Sequence, residues 1–427
     1  EGVTDNLIEA TRLAQISNKR GYRRIVATLR TRHLALIDHL SFQTTERQAI
    51  HADIDRLLFE MLDELQSVAA SPSDRLEQRT VDHIIGVGER MAARIVAALI
   101  RQNNIRAVAI DTPELIITDN NFGNATPDIG ASCARIQRNL LPMLERSIVP
   151  VITGYIGATP EGEQTTLGRG GSDYSASVIG ICSNADEVWL WTDVDGMMTT
   201  DPRDIPSARA IDEMAFQEVG EMAYFGARVL HPRMVGPLSE VGIPLRIKNV
   251  FKPQQPGTLI SNVRQPQQTP KAVTLIYGFS LTAEYSGPLS GIAALVNEVL
   301  WETAGSPAEV MISSQSSMRT RVCFIVPTSS GPGALRNTID AVTAALENEN
   351  PHWAVAQVSV VTVVGAQINR KPSIIAQLIA QLEDIKILEL SPSPSDCTLS
   401  IILNPEDGPT AQERIHDYLL QSHTKDS

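Results

Sequence analysis

Three short β-rich runs govern what this chain can fold into. They are residues 105–110 (Ile-Arg-Ala-Val-Ala-Ile), 148–152 (Ile-Val-Pro-Val-Ile) and 188–191 (Val-Trp-Leu-Trp). Each stops on a polar residue or glycine: Asp111, Thr153-Gly154 and Thr192-Asp193. Helical stretches separate them. Between 46 and 68 the apolar residues Ile50, Ile54, Leu57, Leu58, Met61, Leu62 and Leu65 recur three or four apart, which is one apolar stripe on a helix. Strands alternating with helices predict an α/β fold with a mostly parallel sheet. Ligands of such sheets bind beyond the carboxyl ends of the strands, where these polar residues stand.

The 427 residues leave room for about two to four domains. A formal net charge of −13 argues against a nucleic-acid partner, which calls for a basic face. It leaves phosphate binding open, because local dipoles and a few Arg or Lys suffice for that. No apolar run approaches the roughly 20 residues of a membrane span, and no leader peptide is visible, so no membrane association and a cytoplasmic location are expected. Cys133, Cys182, Cys323 and Cys397 are far apart and match no metal spacing. They are expected as buried thiols of a reducing compartment. The chain opens on Glu1-Gly2-Val3 rather than Met and reads at once as a loop entering a helix, so a strand is expected upstream.

Residues 252–271 are rich in Pro and Gln and read as a connector. Two similar units follow. In the first, a strand at 272–276 leads through Ser286-Gly287-Pro288 to a helix with Ile292, Leu295, Val296, Val299 and Leu300 on one face, then strands at 310–313 and 321–326. In the second, a strand at 358–364 precedes a helix from Ser373 with Ile374, Ile375, Leu378, Ile379 and Leu382 on one face. Strands at 385–390 and 398–403 and a helix at 411–421 complete it. The two helix starts lie roughly eighty residues apart, an internal βαββ repeat.

The chemistry concentrates in Thr165-Thr166-Leu167-Gly168-Arg169-Gly170-Gly171-Ser172-Asp173-Tyr174. The glycines allow positive φ and close approach to a ligand. Ser172 or Asp173 is the expected N-cap of the following helix. That helix offers free N–H groups and a positive dipole end to an anion, and Arg169 adds a forked donor suited to carboxylate or phosphate. Trp191-Thr192-Asp193-Val194-Asp195-Gly196 then puts two carboxylates and a glycine at a strand end, and Asp201-Pro202-Arg203 adds a cation. Both stretches also suit plain turns with caps, and that reading stays open on these residues alone.

Taken in order, residues 165–173, residues 191–203 and Tyr224-Phe225-Gly226-Ala227-Arg228-Val229-Leu230-His231-Pro232 resemble the signature segments of aspartate kinases. Ile243-Pro244-Leu245-Arg246-Ile247-Lys248-Asn249 and Pro256-Gly257-Thr258-Leu259-Ile260 resemble the close of that family's catalytic domain. The two C-terminal units resemble its tandem ACT domains. The resemblance implies an amino-acid-kinase fold, a mostly parallel sheet between helix layers, over 1–263. A linker at 264–271 and two βαββαβ ACT domains at 272–350 and 357–427 would follow, in series or interleaved. It further implies transfer of the γ-phosphoryl group of ATP, with Mg²⁺, to the side-chain carboxylate of L-aspartate. That step opens lysine, threonine and methionine synthesis.

The resemblance assigns roles residue by residue. Arg169 clamps the substrate α-carboxylate, a bidentate task that Lys does less well. Glu89, in Gly86-Val87-Gly88-Glu89-Arg90, meets the α-amino group. Thr4 and Ser172 are hydroxyls near the substrate, oriented by Asp173, which with Arg169 forms the catalytic pair. Tyr155 lines the pocket. Gly170, Gly171, Thr192, Asp193, Met198, Arg203 and Arg228 serve the nucleotide. No cluster of protein metal ligands is implied, because Mg²⁺ arrives with the nucleotide.

Three departures stand out. The family's opening Lys-Phe-Gly-Gly segment, whose Lys bridges the phosphates, is not in this sequence. Arg228 stands where the family usually has Lys. Met198 stands where an aromatic residue often lines the base. In the regulatory half, Gly287, Ser290, Gln315 and Ser316 match the effector site, with lysine or threonine as the effector, and the ACT pair implies a homo-oligomer, a dimer first of all. Two other readings remain: a non-catalytic amino-acid-sensing regulatory subunit, and another amino-acid kinase.

Overall fold

The computed structural model describes residues 2–70, 77–226, 230, 232–262, 269–284, 290–304, 309–325, 334–349 and 353–423. The chain divides into two compact units. One comprises Glu1–Val188 with Arg233–Pro244, the other Trp189–Pro232 with Leu245–Ser427.

The chain begins with five helices: α1 (Val3–Gln15), α2 (Lys19–His39), α3 (Thr44–Ala70), α4 (Gln78–Ile85) and α5 (Val87–Gln102). Next come β1 (Ala107–Ile110), α6 (Ile129–Asn139), α7 (Leu141–Glu145), β2 (Val149–Ile152), β3 (Ile156–Ala158), β4 (Gln164–Thr166) and α8 (Gly171–Cys182). Then follow β5 (Val188–Thr192), β6 (Glu213–Ala215), α9 (Phe216–Tyr224), α10 (Pro232–Val241), β7 (Leu245–Asn249) and β8 (Thr258–Ser261). The C-terminal part runs β9 (Ala272–Ala283), α11 (Ser290–Ala304), β10 (Glu309–Gln315), β11 (Thr320–Ile325), α12 (Ala334–Glu349) and β12 (Trp353–Val364). It ends with α13 (Pro372–Ala380), β13 (Glu389–Pro392), β14 (Thr398–Leu403) and α14 (Gly408–His423).

In the first unit the predicted stripe of α3 is the centre of a helical core. Ile50, Ile54, Leu57, Leu58, Met61 and Leu65 are buried against Leu7 of α1, Tyr22 and Leu29 of α2 and Met91 of α5, with Leu62 at the margin. Each fully buried Leu or Ile contributes roughly 1.5–3 kcal/mol. Asn18 caps α2 by accepting the Gly21 N–H at 3.0 Å. The predicted strands β1 and β2 pair in parallel, Ala107 opposite Val149 and Ile110 opposite Ile152. Among the described residues, α6 and α8 are joined by a disulfide between Cys133 and Cys182. The expectation of four thiols is corrected here. The two cysteines are 49 residues apart in sequence, and only the packing of α6 beside α8 makes them neighbours. Cys323 and Cys397 are buried thiols as expected, and burial pushes Cys323 up to about 12.

In the second unit, the four-stranded sheet has the order β5-β7-β8-β6. Its β6–β8 pair is parallel and its β7–β8 pair antiparallel. Strand β8 lies inside the stretch read as connector. Thr258 and Ile260 are buried there, a two-residue alternation that the surrounding Pro and Gln obscured. Gly257 makes the turn into it at φ 69°, where a Cβ would stand 1.9 Å from the Ile247 carbonyl oxygen.

The two ACT-type units share one antiparallel six-stranded sheet of order β10-β11-β9-β12-β14-β13. Strands β9 and β12 run longer than the sequence reading, 12 residues each, and pair along their whole length, from Ala272 opposite Val364 to Ala283 opposite Trp353. Their halves serve different cores. Val273, Val361 and Val363 pack with α13 and α14, while Phe279 and Leu281 pack with α11 and α12. Helix α12 had no counterpart in the residue-by-residue reading. Strand β13 begins at Glu389 rather than 385: Ile385 and Ile387 pack as part of the α13–α14 core before the chain joins the sheet.

Candidate active site

The glycine-rich segment forms a turn between β4 and α8. Leu167 is buried, Gly168 and Gly170 adopt left-handed φ of 73° and 71°, and the helix begins at Gly171. A Cβ at Gly168 would come within 2.5 Å of Asn124 Oδ1. The N-cap is therefore Gly170, not Ser172 or Asp173. The left-handed glycine already turns the chain into the helix, which places Ser172 and Asp173 in its first turn. Together these residues line an open pocket of ≈ 480 Å³. Arg169, Gly170, Gly171, Ser172, Asp173 and Tyr155 all face it, with Gly123 and Gly168 completing the wall. The pocket thus presents an exposed guanidinium beside the positive end of a 12-residue helix, an arrangement suited to a carboxylate.

Tyr155 itself holds φ at 69°, rare for a residue with a side chain. Its N–H donates to Ser175 Oγ at 3.0 Å and its carbonyl accepts from the Leu167 N–H at 2.9 Å. Burial raises its phenol above the ordinary value, which keeps the OH protonated as a donor. Glu89 lies in the first turn of α5 and is half-buried. Burial raises its carboxyl, and its charge is close enough to push the Tyr155 phenol up further. Thr4 stands in the first turn of α1, next to Val3, whose Cγ1 would lie 3.2 Å from a Cβ at Gly88. Glu89 and Thr4 are not in the pocket wall itself.

Several contributors had no sequence signal. Asp82 of α4 is fully buried. Its carboxylate accepts the N–H groups of Gly123 and Thr166, each at 2.8 Å, the Thr166 hydroxyl at 3.0 Å and Gln78 Nε2 at 3.2 Å. It fastens the strand that enters the glycine turn. Gln164 donates to the Asp82 carbonyl at 2.8 Å and accepts from Arg90 Nη2 at 2.6 Å. Arg233 donates to the Leu167 carbonyl at 2.5 Å and lies 5.9 Å from the centre of the Tyr174 ring. These residues are 41 to 84 positions from the segments they hold, so no local pattern announces them.

In the second unit, the end of β5 carries the residues predicted for the nucleotide. The Thr192 hydroxyl donates to Asp193 Oδ1 at 3.2 Å, and Asp193 is exposed. Asp195 accepts from Asn249 Nδ2 at 2.6 Å and from Lys252 Nζ at 2.7 Å, and these two donors hold its carboxyl below the usual range. Asn249 was read only as the end of a family-like segment, with no role given to it, and Lys252 only as the start of the connector. Met198 is half-buried and bridges to Ala210. Arg203 is exposed and engages Asp201 with two nitrogens, Nε at 3.0 Å and Nη2 at 2.6 Å. Arg228 and Gly287 lie outside the described residues, and Ser290 is described only as the first residue of α11. Gln315 ends β10 opposite Thr320, and Ser316 closes the hairpin, its Oγ accepting the Arg319 N–H at 2.9 Å. Among the described residues no group of three or more His, Cys, Asp or Glu is placed to hold a metal ion. No described helix is long and apolar enough to cross a membrane.

The pattern of the amino acid kinase family matches residues 18–249. Lysine-sensitive aspartokinase 3 of Escherichia coli K12 is 29 % identical over 396 residues, which cover 91 % of this chain and 86 % of that protein. The chloroplastic bifunctional aspartokinase/homoserine dehydrogenase 2 of Arabidopsis thaliana is 28 % identical over 363 residues, 80 % of this chain. The match spans only 38 % of that relative's length, and less than half of the other bifunctional relatives. Crystal structures of E. coli aspartokinase III are similar at 26 % identity over 98 % of this chain and 91 % of theirs. The TM-score is 0.79 for the complex with lysine and aspartate and 0.71 for the complex with aspartate and ADP.

Proposed function

The chain belongs to the amino acid kinase family, and within it we propose that the protein is an aspartate kinase, phosphorylating the side-chain carboxylate of L-aspartate with Mg-ATP. The observation that carries this reading is the left-handed glycine turn that sets Arg169 beside the N-terminus of α8 in the ≈ 480 Å³ pocket. The likeness to an aspartokinase of known aspartate and ADP complexes supports it.

In this reading Arg169 and the first turn of α8 hold the substrate α-carboxylate, and Glu89 attracts the α-ammonium. Tyr155 and Ser172 border the amino acid, with Thr4 nearby in α1 and Asp173 orienting the hydroxyls. With the main-chain ends so fixed, the β-carboxylate is the free nucleophile. One of its oxygens bonds to the γ-phosphorus, the bond from that phosphorus to the bridging oxygen of ADP breaks, and ADP leaves with the electron pair. No proton need move, so positioning and charge neutralisation provide the catalysis. The exposed carboxylate of Asp193 and the Thr192 hydroxyl are hard oxygen donors that suit a hydrated Mg²⁺ carried by the nucleotide. The ion would screen charge on the phosphates. Met198 borders the base in this reading, and Arg203 and Arg228 contribute positive charge. The C-terminal sheet serves an amino-acid effector, lysine to be tried before threonine because a relative is named lysine-sensitive. It also serves as the contact of a homodimer in the cytoplasm.

The test is kinetic. In a coupled assay of ADP release by the full-length protein, Arg169→Ala should raise the aspartate KM on the order of 10–100-fold and leave the ATP KM nearly unchanged, as expected for loss of a charge-assisted double contact. Unchanged aspartate kinetics would remove Arg169 from the clamp.

A further inference from the structure

The second unit ties the loop after β5 to the last helix of the chain. Two adjacent threonines in that loop, Thr199 and Thr200, are 5 % and 3 % exposed. The Thr199 hydroxyl lies 2.9 Å from His416 Nε2, a bond that either tautomer of the ring can make. The Thr200 hydroxyl accepts from Gln412 Nε2 at 2.8 Å. Gln412 and His416 are 3 % and 0 % exposed. They stand four residues apart on α14 and so share one face. Ala411, Ile415 and Leu419, on the adjoining face, are buried in the core beneath the six-stranded sheet. The same loop also meets the start of that sheet, since the Val273 N–H donates to the Thr199 carbonyl at 2.8 Å. Helix α14 therefore faces the sheet core on one side and the loop on the other.

Met198 immediately precedes the two threonines and Arg203 follows them by three residues, both assigned to the nucleotide above, and Asp201, next to Thr200, binds Arg203. A plain buried contact would stabilise the fold and affect both substrates alike. This contact lies on the loop that carries Met198 and Arg203, the residues given to the nucleotide in the proposed function. We propose that Gln412 and His416 are positioning residues for nucleotide use: α14 sets the place of the loop at 198–203 through Thr200 and Thr199. The proposal rests on the aspartate-kinase reading for its choice of substrates, but its structural content is a statement about the loop and α14.

The experiment uses the full-length protein and a cycle of Gln412→Met, Thr200→Val and the two combined. Gln412→Met keeps the length of the side chain and loses the donor. The expected result is a rise in the ATP KM of about 3–10-fold, the scale of one net hydrogen bond, with the aspartate KM within about two-fold of wild type. The double variant should be no worse than the worse single one, because both remove the same bond. ADP affinity by calorimetry should fall by the same factor. Thr200→Ser, which keeps the hydroxyl, should behave as wild type. If Gln412→Met does not fold, Thr200→Ala carries the same readout with a smaller change. Equal shifts in both KM values, or an unchanged ATP KM and ADP affinity in a folded variant, would overturn the proposal. Absence of aspartate-dependent turnover in the wild type would defeat the functional reading instead, and the ADP titration would still decide the role of α14.

Discussion

Replacing Asp82 separates a structural carboxylate from a merely polar one. The group is 0 % exposed and accepts four hydrogen bonds, two of them from the backbone N–H groups of Gly123 and Thr166 at 2.8 Å. Asp82→Ala leaves the buried Thr166 N–H and the part-buried Gly123 N–H without that acceptor, at about 1–3 kcal/mol for the first and less for the second, and adds a small cavity, so about 2–5 kcal/mol is expected. Asp82→Asn can keep its carbonyl oxygen on the same two N–H groups. Its new NH₂ would then meet the Thr166 hydroxyl, which also accepts, and Gln78, whose amide can turn over. Loss of the charge alone should cost about 1–3 kcal/mol. The assay is urea unfolding followed by far-ultraviolet circular dichroism, since α1 to α5 dominate the helical signal of the first unit. Tryptophan fluorescence would miss the event, because Trp189, Trp191, Trp301 and Trp353 all belong to the second unit. Because Thr166 leads into the glycine turn, the aspartate KM should rise in both variants while the ATP KM stays put. An Asp82→Ala protein within about 1 kcal/mol of wild type, or an Asn variant as damaged as the Ala variant, would refute this reasoning.

Three further outcomes are expected. Burial raises the Glu89 carboxyl above its ordinary 4.5, so kcat/KM for aspartate should fall with decreasing pH at a higher pH than an ordinary carboxylate would produce, and Glu89→Gln should abolish that limb. For stability the sign is the reverse: the folded state holds the Glu89 proton more tightly, so its contribution is fully present below the unfolded value and is lost as pH rises through the folded one, a loss that Glu89→Gln removes. Glu218 is 0 % exposed and accepts Lys271 Nζ at 2.9 Å and the N–H groups of Ala215 and Ala366, each at 2.7 Å. Glu218→Ala should destabilise the second unit by about 3–5 kcal/mol, read by tryptophan fluorescence in urea.

What the sequence carried was local. The stripe of α3 follows from helical periodicity, and the strand ends follow from runs that stop on polar residues, so both are found where they were read. The glycine turn was legible because positive φ demands glycine, and with it came Arg169, Gly170, Gly171, Ser172 and Asp173 on one pocket wall. The N-cap was misplaced because a left-handed Gly170 does the capping residue's work without a side chain. Asp82 escaped because the backbone N–H groups it holds are 41 and 84 residues away and a lone aspartate in a short helix has no signature. The Cys133–Cys182 bridge and the Asp195–Asn249 contact are alike in kind, since each depends on how elements pack rather than on spacing. Strand β8 was hidden by composition: four residues of alternating burial inside a Pro- and Gln-rich stretch are too few to stand out.

Hydroxylamine trapping tests the proposed chemistry most directly. Full-length protein incubated with L-aspartate, Mg-ATP and hydroxylamine should yield aspartyl hydroxamate in proportion to the ADP released, because the acyl phosphate formed on the β-carboxylate reacts with the amine. Arg169→Ala should lose that product at low aspartate and recover it at high aspartate. ADP release without hydroxamate, or no aspartate-dependent ADP release at all, would contradict phosphoryl transfer to aspartate.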